Sequence, residues 1–272
     1  MFNNPLSLGY LTISEAMPVE IIEAAGAAGF FGTSLRIDAA GPLGGPSRLI
    51  GNPPAIRETL RAIADTGVVL HDFEMIRLRA DLKPSDHEQT LDVGARLGGR
   101  FVIVLGDDDD ENRLTDNMAA ICELARDRGV RVVIEFMSWL GVSRALQAER
   151  IVKNTGKSNA GIVVDPLHVI RGGGSMAELK TLDPRHRFFC QICDAHAQRP
   201  VGAEALRHEA LWDRLHIGKG ALPLADYVRS MPEDITISVE TPVLGLDKSL
   251  GLHARAKAAY DSTRALLEAL KA

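Results

Sequence analysis

The chain has 272 residues, of which 46% are hydrophobic and 25% are charged, and its net charge is −5. This composition is that of an ordinary globular protein, large enough to form a core without disulfides or structural metals. The acidic balance and the lack of a basic block exclude nucleic acid as an expected partner. Residues 1–13 lack the basic start and apolar core expected of a signal peptide, and no apolar run nears the roughly 20 residues of a membrane span. We therefore expect a cytoplasmic protein without membrane contact.

Eight short apolar runs, most of them rich in Val and Ile, predict strands that are buried on both faces. These runs cover residues 6–13, 33–37, 68–75, 100–106, 130–137, 160–165, 187–194 and 234–240. Helical patterns separate most of them, at residues 18–29, 52–67, 84–99, 111–129, 142–156 and 252–272. The acid run at 107–111 is interpreted as a solvated loop leading into a helix, because acids favour a helix N-terminus.

Eight βα units in a chain of this length predict an α/β fold, a single (β/α)8 TIM barrel with a closed parallel sheet, and one domain over residues 1–272. An open doubly wound sheet is the alternative, but it would normally use fewer strands. No GxGxxG follows the first strand and no GxSxG occurs, so a nicotinamide cofactor and an esterase elbow are not expected. The RGGG segment at 171–174 lacks the GK[ST] ending of a phosphate loop.

The cysteines are expected to be free thiols. There are three of them, and this odd number argues against a disulfide framework and for a reducing compartment. Cys190 and Cys193 form a CxxC, but residues three apart on a strand face opposite sides, which is poor geometry for a shared metal. We predict that both are core thiols.

Acidic and amide side chains stand at the ends of four successive predicted strands. The carboxyl ends of barrel strands surround one mouth, so Glu135, Asp165, Gln191 and Glu240 are predicted to converge there. Three carboxylates in one pocket raise one another's pKa, and a divalent metal ion would relieve the repulsion. Oxygen ligands suit Mn²⁺ or Mg²⁺, with Co²⁺ or Zn²⁺ as alternatives. Taken singly, each residue could instead be a loop acid, a helix cap or a rim hydrogen-bonding group.

The order of these residues resembles the sugar phosphate isomerase/epimerase family, the xylose isomerase-like TIM barrels. The matching segments are Glu135, the DPLH of 165–168, the QxxD of 191–194, the GxG of 218–220 and Glu240. The resemblance implies a metal held by Glu, Asp, His and Glu, but Gln191 stands at the third position. The 3-dehydroshikimate dehydratases belong to the same superfamily, and some of them carry a glutamine there.

The resemblance also implies substrate-binding positions. His168 matches the family histidine that faces the substrate, and an imidazole suits acid–base chemistry near neutral pH; a helix-start histidine bonded to a carbonyl is the alternative. Arg214 precedes the GxG loop, and its planar fork suits a substrate oxygen or carboxylate, with a surface salt bridge as the alternative. The remaining candidates are Arg36, Glu74 and Asp194, followed by Arg77, His71, His216 and Lys219.

These residues predict chemistry through an enolate. A metal would polarise a substrate carbonyl, and Glu135 and Glu240 would serve both as ligands and as proton acceptors. Return of the proton gives isomerisation or epimerisation, whereas loss of a β-hydroxyl with His168 as acid gives dehydration. We predict a metal-dependent isomerase/epimerase of a small polyhydroxy carbonyl compound.

Other functions remain as alternatives at this point. A dehydratase of the 3-dehydroshikimate type is the first alternative, and a non-catalytic metal-binding or sugar-binding barrel is the second. A nuclease related to endonuclease IV is disfavoured, because the chain is acidic and has few histidines at strand ends. The sequence leaves open whether the chain forms a homo-oligomer.

Overall fold

Eight parallel strands close into a barrel in the order in which they occur in the chain, and the last strand pairs with the first. The structure is a computed structural model that describes residues 4–38, 48–243 and 250–271. The predicted single closed barrel is confirmed, and the alternative of an open sheet is wrong.

All eight predicted strands are present. They are β1 (Leu6–Leu8), β2 (Gly32–Arg36), β3 (Val69–Leu78), β4 (Phe101–Gly106), β5 (Arg131–Glu135), β6 (Ala160–Val164), β7 (Arg187–Ile192) and β8 (Ile237–Val239). The helices are α1 (Pro18–Ala28), α2 (Pro53–Thr66), α3 (Glu88–Arg96), α4 (Glu111–Arg126), α5 (Ala145–Thr155), α6 (Pro166–Arg171), α7 (Met176–Leu179), α8 (Ala203–Trp212), α9 (Leu224–Ser230) and α10 (Leu252–Ala269). Short 3₁₀ helices cover Tyr10–Ile13, Pro84–His87 and Pro184–His186.

Local sequence explains where the helices begin and end. Asn52 accepts a hydrogen bond from the backbone of α2, and prolines fill the first helical positions. Asp110 caps α4 in the same way, which confirms that the acid run leads into a helix. The last predicted helix extended to Ala272, which lies outside the described residues.

The predicted first strand, 6–13, is wrong in its second half. β1 ends at Leu8, and the chain continues as the 3₁₀ helix Tyr10–Ile13. At Gly9 a Cβ atom would lie 2.8 Å from Glu240 Cβ and 3.0 Å from the Val239 carbonyl oxygen. Only glycine allows the chain to approach the end of β8 so closely at this point.

Apolar side chains fill the interior of the barrel. Phe101, Ile103, Leu105, Val133, Val163 and Phe189 form one cluster there. His71 lies against two of these rings, with ring centroids 5.1 Å from Phe101 and 4.8 Å from Phe189. Successive strand side chains alternate between the two faces of the sheet, so the residue two positions after an interior one faces the interior again. This alternation directs the side chains at 135, 165 and 191 toward the mouth, above the apolar plug.

Cys122, Cys190 and Cys193 are all buried and free, so the prediction of core thiols is confirmed. Burial raises the pKa of Cys190 to about 12, which keeps this thiol protonated. Among the helices of the described residues, none combines the length and the apolar character that crossing a membrane requires.

Candidate active site

A cavity opens at the carboxyl ends of the strands, and its wall is polar on some sides and apolar on others. The charged or titratable residues on the wall are Arg36, Glu74, Arg77, Glu135, His168, Arg207, Arg214 and Glu240. The apolar residues are Leu11, Met75, Ile103, Leu105, Met137, Trp139, Ala210 and Leu211. Of the four predicted metal ligands, Glu135 and Glu240 line this wall, whereas Asp165 and Gln191 do not.

Arg214 is buried at the floor of the site, and the alternative of a surface salt bridge is wrong. Its Nη1 lies 2.7 Å from Asp165 Oδ2, and its Nη2 lies 3.2 Å from Glu240 Oε2. Its Nε donates to the carbonyl oxygen of Ala210 at 2.7 Å. The guanidinium thus joins the ends of β6 and β8 to helix α8.

More acidic side chains surround Arg214 than its single positive charge can neutralise. Burial, reinforced by the neighbouring carboxylates, raises the pKa of Glu240 well above its ordinary value despite the opposing charge of Arg214. For Asp165, burial alone would raise the pKa, but Arg214 and His168 lower it below the ordinary value. When Glu135, Asp165 and Glu240 are all ionised, one guanidinium faces three carboxylates, and two negative charges stay uncompensated.

His168 joins two of these acids to form a group that could hold a metal ion. Ligand atoms of Glu135, Asp165 and His168 all lie within 4.8 Å of one another. The Nε2 of His168 lies 3.5 Å from Glu135 Oε1, and its ring meets Trp139 edge-on at 5.3 Å between centroids. Neither ring nitrogen has a hydrogen-bond partner among the described residues, so the carbonyl-bonded alternative for this histidine is wrong.

Gln191 supplies a further oxygen at the same level. Its Nε2 donates to Glu240 Oε2 at 3.3 Å. The remaining side-chain oxygens of both residues, Gln191 Oε1 and Glu240 Oε1, are buried without a hydrogen-bond partner in the part of the chain that the structure describes. Unsatisfied buried oxygens beside three acids and a single guanidinium fit a divalent cation with a preference for oxygen ligands. Of the predicted ligands, Glu135 and Asp165 belong to the group formed with His168, and metal binding by Gln191 and Glu240 stays a prediction.

Arg36, at the end of β2, and Glu74, within β3, form an ion pair on the cavity wall. The Arg36 Nη2 lies 2.9 Å from Glu74 Oε2, and the guanidinium stands 4.8 Å from the centre of the Tyr10 ring. Burial raises the pKa of Glu74 to about 7, although the charge of Arg36 opposes this shift. Both side chains line the cavity, and their contact with substrate stays a prediction.

Asp194, predicted to bind substrate, does not line the cavity wall. Its two carboxylate oxygens instead accept hydrogen bonds of 2.9 to 3.1 Å from the backbone N–H groups of Ala195, Gly218, Gly220 and Leu222. A Cβ on Gly220 would lie 2.4 Å from Asp194 Oδ1, so the second glycine of the GxG is needed for this close approach. The carboxylate holds the loop that follows Arg214.

Three weaker candidates also lie off the cavity wall. His71 is part of the barrel interior, where its Nδ1 lies 2.8 Å from Asp72 Oδ1. His216 and Lys219 belong to the loop held by Asp194, and neither lines the cavity. Arg77, by contrast, lies on the wall and pairs with Asp107 at 3.1 Å.

Sequence reasoning missed Arg207 and Trp139 as wall residues. Arg207, Ala210, Leu211 and Arg214 all line the cavity, and their spacing is that of one helix face. This spacing was readable from the segment ALRHEALWDRL, but no helix was predicted there. Trp139 follows β5 in an irregular segment, and no residue pattern marked it.

The chain belongs to the xylose isomerase-like TIM barrel family, whose model matches residues 22–269. It is 25% identical over 235 residues to a 3-dehydroshikimate dehydratase of Pseudomonas putida, a match that covers 82% of this chain and 35% of the relative. The chain thus spans about a third of the length of the curated relative it matches.

Solved structures share the fold. A xylose isomerase-like TIM barrel/4-hydroxyphenylpyruvate dioxygenase fusion protein matches with a TM-score of 0.80 at 20% identity, over 96% of this chain and 42% of that one. The IOLI protein with a bound zinc atom matches with a TM-score of 0.79 at 16% identity, over 97% and 98%. A D-allulose 3-epimerase from Methylomonas in complex with D-allulose matches with a TM-score of 0.71 at 13% identity, over 96% of each chain.

Proposed function

We propose that the chain is a metal-dependent lyase that removes water from a cyclic hydroxy-ketone of the 3-dehydroshikimate type. The observation that carries the proposal is the arrangement of His168 and Glu135 on the cavity wall. Both nitrogens of the buried imidazole lack a partner among the described residues, and Nε2 lies 3.5 Å from a carboxylate oxygen. The similarity to a 3-dehydroshikimate dehydratase and the glutamine at position 191 support this choice of substrate type.

The chain would divide the proton transfers among its own residues. A carboxylate on the wall, Glu135 or Glu240, would take the proton on the carbon next to the ketone, and the electron pair of that C–H bond would form an enolate. The bond to the β-hydroxyl would then break as His168 gives that oxygen a proton, so that water leaves. The remaining ring ketone would enolise to 3,4-dihydroxybenzoate, with no change in oxidation state beyond the loss of water.

Residues Glu135, Asp165, Gln191 and Glu240 would hold the metal ion. When bound, a divalent cation supplies Lewis acidity that polarises the substrate carbonyl. Arg214 would keep Asp165 and Glu240 in place, because it contacts both. The apolar residues on the wall would restrict the access of water to the enolate.

An absorbance assay tests the proposal. Protein with Mn²⁺ and 3-dehydroshikimate should produce a rise in ultraviolet absorbance as the aromatic product forms, and Glu135→Gln should reduce the rate about 100-fold or more. Glu149→Gln is the matched control, because Glu149 is a buried glutamate that does not line the cavity. No rise with wild-type protein would contradict the lyase, and full turnover by Glu135→Gln would contradict the role of Glu135 in the reaction.

Epimerisation is the second candidate, and the positions of two acids favour it. Glu135 and Glu240 both line the cavity but follow strands β5 and β8, which are separated by two strands in the barrel. Two carboxylates approaching a substrate from different sides can remove a proton from one face and return one to the other. Solvent deuterium entering a ketose, without any aromatic product, would support this candidate over the lyase.

A further inference from the structure

We infer that Arg207 on helix α8 binds the carboxylate of the substrate, and that the cavity therefore selects ring compounds that carry a carboxylate over uncharged sugars. The inference rests on the proposed function, since it concerns how the same cavity binds the carboxylate end of the proposed substrate.

Of the four wall arginines, three are already engaged. Arg36 pairs with Glu74, Arg77 pairs with Asp107, and Arg214 pairs with Asp165 and Glu240. Arg207 lines the same cavity and is exposed, and the described residues provide it with no ion pair and no hydrogen-bond acceptor. It is the wall cation that is free to receive an anionic group from a ligand.

The helix geometry directs Arg207 toward the outer part of the site. Ala210 and Leu211 lie one turn further along the same face, so the Cα of Arg207 stands about 5 Å outward from theirs along the helix axis. Arg214 lies two residues beyond the end of α8, among the acids. A ligand whose reacting oxygens face the acids would thus turn its far end toward Arg207.

Helix α8 is a rigid support for this contact. Its Glu209 is buried and forms a two-pronged ion pair with Arg171 of α6, with N–O distances of 2.6 and 2.8 Å. Helix α6 also carries His168. One buried ion pair therefore connects the helix that holds Arg207 to the helix that holds the proposed acid.

The chemistry of the wall favours a carboxylate as the anionic group. A single unpaired guanidinium balances one negative charge and presents parallel N–H groups that match a carboxylate. A phosphate dianion would leave a second charge uncompensated. Apolar residues such as Met75, Met137 and Leu211 border the cavity and suit the face of an unsaturated ring better than an open chain of hydroxyls.

Binding of two ligands that differ only in the carboxylate tests this inference. The probes are 3,4-dihydroxybenzoate and catechol, titrated calorimetrically into wild-type protein with Mn²⁺ and with EDTA. Wild type should bind the carboxylated ring about 10-fold more tightly than catechol, and Arg207→Gln should reduce that preference to less than about 3-fold. Arg57→Gln, which removes an exposed arginine of α2 outside the cavity, should keep the wild-type preference.

Three results would overturn the inference: equal binding of both ligands by wild type, binding of neither, or an unchanged preference in Arg207→Gln. The absorbance assay with 3-dehydroshikimate is read separately. A carboxylate preference that depends on Arg207, without turnover, would leave this inference standing and reject the lyase. Turnover of 3-dehydroshikimate, together with an unchanged ligand preference in Arg207→Gln, would support the lyase and reject the role of Arg207.

Discussion

Replacing Arg214 by Met should destabilise the metal-free protein strongly. The substitution leaves Asp165 and Glu240 buried without the cation that they contact at 2.7 and 3.2 Å. Removal of one partner of a buried ion pair costs about 3–5 kcal/mol in unfolding free energy, because the remaining charge stays buried. For a chain of this size, that loss corresponds to a decrease of roughly 10 °C in melting temperature.

Mn²⁺ should restore part of this loss if the acids form the metal site. The ion would replace the missing positive charge, and a ligand that binds only the folded state stabilises it by mass action. Thermal unfolding, followed by circular dichroism in EDTA and in Mn²⁺, measures both effects. The increase in melting temperature on adding Mn²⁺ should be larger for Arg214→Met than for wild type.

Arg171→Met is the matched control. Arg171 is also buried and paired, with Glu209, but this pair lies outside the cavity wall. Its replacement should lower the melting temperature to a similar extent, without any special response to Mn²⁺. An equal response of both variants to Mn²⁺, or an Arg214→Met variant as stable as wild type in EDTA, would refute the reasoning about the charge of this site.

Two further predictions concern Glu74 and Asp194. With its pKa raised to about 7, Glu74 holds a proton in the folded state over a range where it loses one on unfolding, so the contribution of Glu74 to stability should fall as pH rises from about 4.5 to about 7 and then level off. Relative to Glu74→Gln, wild type should lose about 3 kcal/mol of unfolding free energy between pH 4.5 and pH 8 in EDTA; parallel stability curves would contradict this. Asp194→Asn should increase hydrogen exchange at the amides of Gly218, Gly220 and Leu222, because an amide oxygen replaces a carboxylate that accepts from all three. Asp226→Asn, at an exposed position on α9, is the control, and unchanged protection in Asp194→Asn would show that the carboxylate does not hold the loop.

The positions of the strands, and the side of the sheet toward which their last side chains point, were predictable because both depend on the local residue pattern. A run such as VRVVIEF marks a buried strand by its branched residues, and the alternation of side chains then determines that Glu135 faces inward. The end of β1 was not predictable in this way. Apolar residues continue from Leu8 through Ile13, and a 3₁₀ helix buries them as completely as a strand would.

The groups that contact the site residues were harder to predict from the sequence. Asp194 is an acid at the end of a strand, like Asp165, and its neighbours in the sequence do not show which groups its carboxylate contacts. What separates them is the path of the chain from α8 into the loop at 218–222, which brings backbone N–H groups to one carboxylate and a guanidinium to the other. Such donors are set by tertiary structure, and backbone groups have no signature in the sequence.

The distribution of charge along α8 implies one orientation for a substrate. With a divalent ion bound by the proposed ligands, three positive charges, two from the ion and one from Arg214, would balance the three carboxylates at the floor. Arg36 pairs with Glu74, and Arg77 shares Asp107 with Arg79, so Arg207 is the wall arginine to which the described residues offer no acid. A substrate carboxylate at the floor would lose the attraction of Arg207 and would be repelled by Glu135 and Glu240. In the reverse orientation the carboxylate contacts Arg207 and the ketone and hydroxyl oxygens face the metal site. The ketone and hydroxyl groups would therefore enter first, and the carboxylate would stay at the rim.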